Sequence, residues 1–157
     1  MIQEKHHRLD PALYRGYLVV SFTACMRNRA TFFTNPDRFI ACEHLLLEEL
    51  HHFHCDAEVY LFMPDHAHLL LRGASDASDI LRVMKSFKQR SGFWLSQKHP
   101  QVHWQKDYFD HILRDSEDVE QHIRYILNNP VRKERVESWK DYPFKGSTIH
   151  KLDGWDP

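Results

Sequence analysis

Net charge is almost absent from this sequence: 21 lysines and arginines stand against 22 aspartates and glutamates, a formal balance of −1. Such a balance does not by itself point to nucleic acid, so any polyanion contact has to come from local clustering of cations. Cysteine is equally scarce. Cys25, Cys42 and Cys55 are odd in number, widely spaced and without a Cys-x-x-Cys pair, which argues against a disulfide framework and for a reducing compartment. No apolar run approaches the roughly 18 residues of a membrane span. The opening residues, Met1-Ile2-Gln3-Glu4-Lys5-His6-His7-Arg8, lack the apolar core of a signal peptide. The expectation is a cytoplasmic protein with no membrane partner. Glycine-rich phosphate loops are missing too, as are internal repeats and low-complexity segments.

What is present fits one domain. At 157 residues, 42% hydrophobic and 13% aromatic, the chain can bury a real core. Residues 1–13 are polar and aperiodic and read as a flexible arm, residues 14–147 as a single catalytic-type domain, and residues 148–157 as a short peripheral tail. Gly16 to Thr23, rich in β-branched and aromatic residues, predicts a buried strand. Asn35-Pro36-Asp37 opens a helix running to about Phe53. Glu58–Met63 and His66–Arg72 read as two strands joined by Pro64-Asp65 in a hairpin. A second amphipathic helix follows Ser75-Asp76-Ala77-Ser78, with an interruption expected near Gly92. Tyr108 to Arg114 contains a fourth strand. Ser116 and the acidic residues after it open a last helix with Val119, Ile123 and Ile126 inward, which Pro130 should end. This order predicts an α+β fold, an antiparallel sheet covered by helices.

Two stretches carry chemistry. In a strand, His66 and His68 point the same way, roughly 6 to 7 Å apart along the chain, with Ala67 opposite. Two imidazoles so placed can share a metal ion, although a lone His-x-His is more often structural. Downstream, Tyr125 and Asn129 lie four apart at a helix end, within about 6 Å of rise. A tyrosine there is ordinarily a boundary residue.

Together, Met63-Pro64-Asp65-His66-Ala67-His68, Tyr125-Ile126-Leu127-Asn128-Asn129-Pro130-Val131-Arg132 and Tyr142-Pro143 resemble the single-tyrosine HUH transposases of the IS200-like family, and among them the REP-associated tyrosine transposases. The likeness runs from about Tyr14 to Ser147. It implies a ferredoxin-like HUH endonuclease fold, His66 and His68 as metal ligands, Tyr125 as nucleophile, and single-stranded or hairpin DNA as partner. The reaction implied is in-line attack of the phenolic oxygen on a phosphodiester, leaving a phosphotyrosine and a free hydroxyl, with no need of ATP. Two neutral imidazoles and an oxygen donor suit Mg²⁺ or Mn²⁺. Asn129 stands where the family places that third ligand; as a helix C-cap before Pro130 it has an equally good structural role. Ala67 is smaller than the usual bulky apolar residue of the motif.

Independently of family, Ile80 to Lys106 contains Arg82, Lys85, Lys88, Arg90, Lys98 and Lys106 and no acidic residue, interleaved with Phe87, Phe93, Trp94 and Trp104. Cations neutralise phosphates and aromatics stack on unpaired bases, so this stretch is the sequence's own case for DNA; burial of the aromatics is the alternative for those side chains. Arg114 and Arg132 lie near the catalytic segments as further phosphate contacts. His44, His51, His52 and His54 complete no zinc pattern and read as solvent-facing. Two rival functions remain: a catalytically inactive hairpin-DNA-binding protein of the same fold, and a metal phosphohydrolase, which leaves the basic stretch unexplained. A monomer and a homodimer are both compatible with these motifs.

Overall fold

Residues 9–156 are described in a computed structural model of the chain. Residues 1–8 of the expected arm lie outside them, while Pro11–Tyr14 forms a 3-10 turn capped by the Asp10 side chain, with Tyr14 fully buried. Five strands make one antiparallel sheet: β1 (Val19–Cys25), β2 (Cys55–Met63), β3 (His66–Gly73), β4 (Phe109–Ile112) and β5 (Lys145–Gly146), in the spatial order β4-β1-β3-β2-β5. With them go four helices, α1 (Pro36–His52), α2 (Ile80–Lys98), α3 (Val119–Leu127) and the single-turn α4 (Asn129–Arg132). This is the expected α+β, ferredoxin-like sheet covered by helices. Among the described residues no helix is long and apolar enough to cross a membrane.

Local chemistry accounts for most of the boundaries. Asn35 accepts a hydrogen bond from the Arg38 N–H and Pro36 occupies the first turn of α1. Asp79 caps α2 in the same way, a few residues later than the serines suggested. The interruption expected at Gly92 does not occur: α2 is continuous, because Phe87, Ser91 and Leu95 anchor both sides of that residue in the core while Gly92 itself faces open space. Helix propensity is lowered there without a break.

Alternation along β3 gives the sheet two different faces. Ala67, Leu69 and Leu71 look toward α1 and α2. Ala67 is flanked in register by Ala24 and Phe62, and the Phe62 ring meets Phe39 of α1 at 5.5 Å and Phe87 of α2 at 6.3 Å. The small side chain thus sits beside a dense aromatic cluster. His66 and His68 look the other way, toward α3 and α4.

The tail is not peripheral. Past β5 the chain continues along β2, where Thr148 exchanges hydrogen bonds with both backbone groups of Ala57, His150 Nε2 lies 2.7 Å from Glu58 Oε2, and Trp155 stacks on His150. A β-bulge between Ala57 and Val59 marks this part of β2. Upstream, the Tyr142 hydroxyl donates to the Phe62 carbonyl and the Phe62 N–H to that of Phe144, so Tyr142-Pro143 docks the segment onto β2.

Candidate active site

The β2–β3 hairpin turns on Pro64 and Asp65, and its backbone is pinned from outside. Pro64 accepts from the N–H groups of Phe32 and Phe33, Asp65 from that of Met26. The register of β1 against β3 then sets Thr23 opposite His68 and Cys25 opposite His66. Each imidazole has its Nδ1 engaged: His66 with Asp65 Oδ1 at 2.7 Å and His68 with Thr23 Oγ1 at 3.1 Å. With Nδ1–H donating in each case, both Nε2 atoms present lone pairs to the same space, 3.2 Å apart.

Asn129 closes that space. Its side-chain amide lies 3.2 Å from His66 Nε2 and 3.0 Å from His68 Nε2, and the residue is buried. A half-turn of the amide presents Oδ1 to the same point. Neighbouring ligands on a small divalent ion at about 2.1 Å are roughly 3 Å from one another, so the three donors have the spacing of one face of an octahedral site. Burial holds both histidines below the usual imidazole range, His68 down to about 3, with the charge of Arg29 adding to the effect on each and Asp65 opposing it at His66. Both are therefore neutral at pH 7, the protonation state a ligand needs. No group of three His, Cys, Asp or Glu side chains forms a metal cluster among the described residues; here the third donor is an amide.

The end of α3 differs from expectation. Pro130 does not terminate a helix but sits in the first turn of α4, where its missing N–H is no loss. The C-cap of α3 falls to Asn128, whose Nδ2 donates to the Arg124 carbonyl at 2.9 Å, and Asn129 is left free to turn inward. Asn128 keeps helical dihedrals (φ −82°, ψ 0°), so the backbone continues from Tyr125 into α4 almost as one turn. Ile123, Ile126 and Leu127 hold α3 on the sheet; Tyr125 is 63% exposed at the rim, with the Arg132 guanidinium 3.8 Å from its ring centroid.

Not all the cations are brought together. Arg132 is at the site. Arg82, Lys85, Lys88 and Arg90 are on α2, the layer behind the sheet, because Val83 and Phe87 turn the opposite side of the helix to the core. Lys88 is tied to the carbonyls of Gln105 and Lys106, at 2.6 and 2.9 Å, and Arg90 to Glu48 and Glu49. Arg82 lies over the Phe53 ring, and Lys85 is exposed. Lys106 lines a cleft with Arg27 and Arg29; Arg114 is exposed after β4. His44, His51, His52 and His54 are exposed, His44 pairing with Glu48. Among the aromatics, Phe87 is buried, Trp94 and Trp104 pack against the core, and Phe93 is 68% exposed.

Several contributors escaped sequence reasoning. Arg29 Nε holds Asp65 at 3.0 Å and its Nη1 reaches Cys25 Sγ. Lys133 adds positive charge felt at His66, and Thr23 orients His68. Asp65 and Lys133 directly flank recognised motifs, which is a usable signal; Thr23 and Arg29 have none.

The family model described as "Transposase IS200 like" matches residues 16–129, a span that holds the histidine pair, Tyr125 and Asn129. The chain belongs to the IS200-like transposase family. Among its relatives, the REP-associated tyrosine transposase of Escherichia coli K12 is 26% identical over 146 residues, covering 88% of this chain and 82% of that protein. A Haemophilus influenzae protein named "Putative REP-associated tyrosine transposase" is also 26% identical, over 111 residues; the match takes in 64% of this chain and spans 62% of the length of that relative. A solved REP-associated tyrosine transposase bound to a REP hairpin shares the fold, with a TM-score of 0.74 at 21% identity, covering 95% of this chain and 84% of that one. The fold and the IS200-like assignment therefore agree.

Proposed function

We propose that this IS200-like protein is a metal-dependent, single-tyrosine endonuclease and strand transferase acting on single-stranded DNA at hairpin-flanked sites. One observation carries the reading: His66 Nε2, His68 Nε2 and the Asn129 amide converge within 3.2 Å of one another, one helical turn from Tyr125. A divalent ion held by these three, Mg²⁺ or Mn²⁺, supplies Lewis-acid polarisation of a phosphate oxygen. The protein's own groups do the rest. Asp65 and Thr23 fix the ring orientations, so the donor set is formed before substrate arrives. The Tyr125 phenolic oxygen attacks phosphorus, its proton passes to solvent, and the bond to the leaving DNA oxygen breaks; a phosphotyrosine ester and a DNA hydroxyl result. Attack by a DNA hydroxyl on that ester reverses the step and joins a strand, so no nucleotide cofactor is consumed. Arg132, in contact with the Tyr125 ring, is placed to hold the phosphate charge that develops. A hairpin substrate is suggested by the solved relative whose complex contains a REP hairpin.

The test is a labelled single-stranded hairpin incubated with the protein and Mn²⁺, followed by a denaturing gel. A covalent species absent from Tyr125→Phe, with DNA binding retained in that variant, is the expected result. Binding without adduct across a varied hairpin pool would replace this reading with that of a DNA-binding protein.

A further inference from the structure

Beyond the end of β1 the chain makes a tight left-handed turn, with Asn28 at φ 58° and Arg29 at φ 54°. Non-glycine residues occupy that region only when their surroundings insist on it. The surroundings are identifiable here. The Arg27 N–H donates to the His103 carbonyl at 2.8 Å, the Gln105 N–H to that of Cys25 at 2.9 Å, and Met26 forms a bridge with Trp104. Lys88 clamps the carbonyls of Gln105 and Lys106 from below, and the Trp104 indole N–H donates to Ser91 Oγ at 2.8 Å, which fixes the floor.

Between these two segments lies a cleft of about 670 Å³ lined by Arg27, Asn28, Arg29, Trp104, Gln105 and Lys106. The volume falls within the roughly 300–1,000 Å³ of small-ligand sites. Three cations and no carboxylate line it. Arg29 is committed to Asp65 and Cys25, whereas the exposed side chains of Arg27 and Lys106 have no hydrogen-bond or ion-pair partner among the described residues. The cleft is also wired to the histidine site: its Arg29 holds Asp65, which in turn holds His66.

We infer that this cleft is a nucleotide subsite that grips the single strand next to the cleaved phosphodiester. Arg27 and Lys106 take a backbone phosphate each, and the amide side chains of Asn28 and Gln105 meet the hydrogen-bonding edge of one unpaired base. Amides pair with base edges bidentately, so this subsite selects a base as well as adding affinity. The inference rests on the proposed DNA-processing function and deepens it.

The test uses the full chain carrying Tyr125→Phe, so that the strand stays intact, with a labelled single-stranded hairpin and anisotropy read over a salt series. Arg27→Ala with Lys106→Ala lowers the slope of log affinity against log salt by about 1.4, two contacts at about 0.7 each. Asn28→Ala with Gln105→Ala keeps the slope and flattens the base preference at one position of a substitution scan. Thermal melting of each variant verifies the fold. Unchanged slope and unchanged base preference in folded variants, with the parent still binding DNA, would overturn the subsite and leave the proposed function standing. A parent that binds no single-stranded DNA would overturn both.

Discussion

Thr23 Oγ1 lies 3.1 Å from His68 Nδ1 because the antiparallel register of β1 against β3 sets these residues directly opposite each other. The contact turns strand pairing into tautomer control. Asp65 does the same for His66 from the turn of the hairpin, and the site is built from backbone geometry outward.

Thr23→Val keeps the β-branched shape and removes the hydroxyl. Loss of an outer partner of this kind typically costs 10–100-fold in metal affinity. A Mn²⁺ titration by electron paramagnetic resonance is expected to show that drop. Unaltered affinity would mean that packing alone orients the ring.

Asn128 and Asn129 are neighbours with different work. Asn129→Ala removes the third donor and should weaken Mn²⁺ binding and adduct formation together. Asn128→Ala removes a hydrogen bond at the end of α3 and should cost about 0.5–1.5 kcal/mol of stability with metal affinity unchanged. Calorimetric metal titration beside urea melts separates the two; equal metal affinity in both variants would refute the ligand assignment.

Acid should unfold the metal-free protein partly through His68. Burial brings its folded value down to about 3 from an ordinary 6.5, so the neutral ring is the native form. A depressed value means that the stabilising contribution is complete above pH 6.5 and is lost progressively as pH falls toward 3. Urea midpoints measured across that interval should fall more steeply for the parent than for His68→Gln. Parallel curves would contradict the shift.

Phe62 fills the face of the sheet away from the site, with ring contacts to Phe33, Phe39 and Phe87. Phe62→Ala should destabilise by about 3–5 kcal/mol in urea unfolding, because the surrounding rings cannot all close the cavity.

Position in the fold, not density in the chain, should rank the cations. Arg132→Ala is expected to reduce adduct formation tenfold or more, since the guanidinium stands against the Tyr125 ring. Arg82→Ala with Lys85→Ala, on the layer behind the sheet, should reduce it less. A gel time course with all three proteins at one salt concentration decides the order.

Much of this molecule was legible in the chain. Strand periodicity put His66 and His68 on one face, the apolar stripe of Ile123 and Ile126 placed α3, and the motifs around His66 and Tyr125 pointed to the family. These signals are local, carried by residues a few positions apart. The reading of Pro130 went astray for a local reason as well: a proline that cannot continue one helix can open the next, and sequence alone does not say which.

The sequence by itself determined the elements, the paired histidines and the candidate nucleophile, because side-chain periodicity is a property of neighbouring residues. Only the tertiary structure decided what surrounds them. Thr23 meets His68 across 45 positions of sequence, Arg29 meets Asp65 across 36, and Asn129 reaches His66 across 63. The basic run on α2 looked like the DNA face because linear charge density is blind to layer: burial of Val83 and Phe87 turned those cations away from the histidines, and strand register gathered Arg27, Arg29 and Lys106 beside them instead.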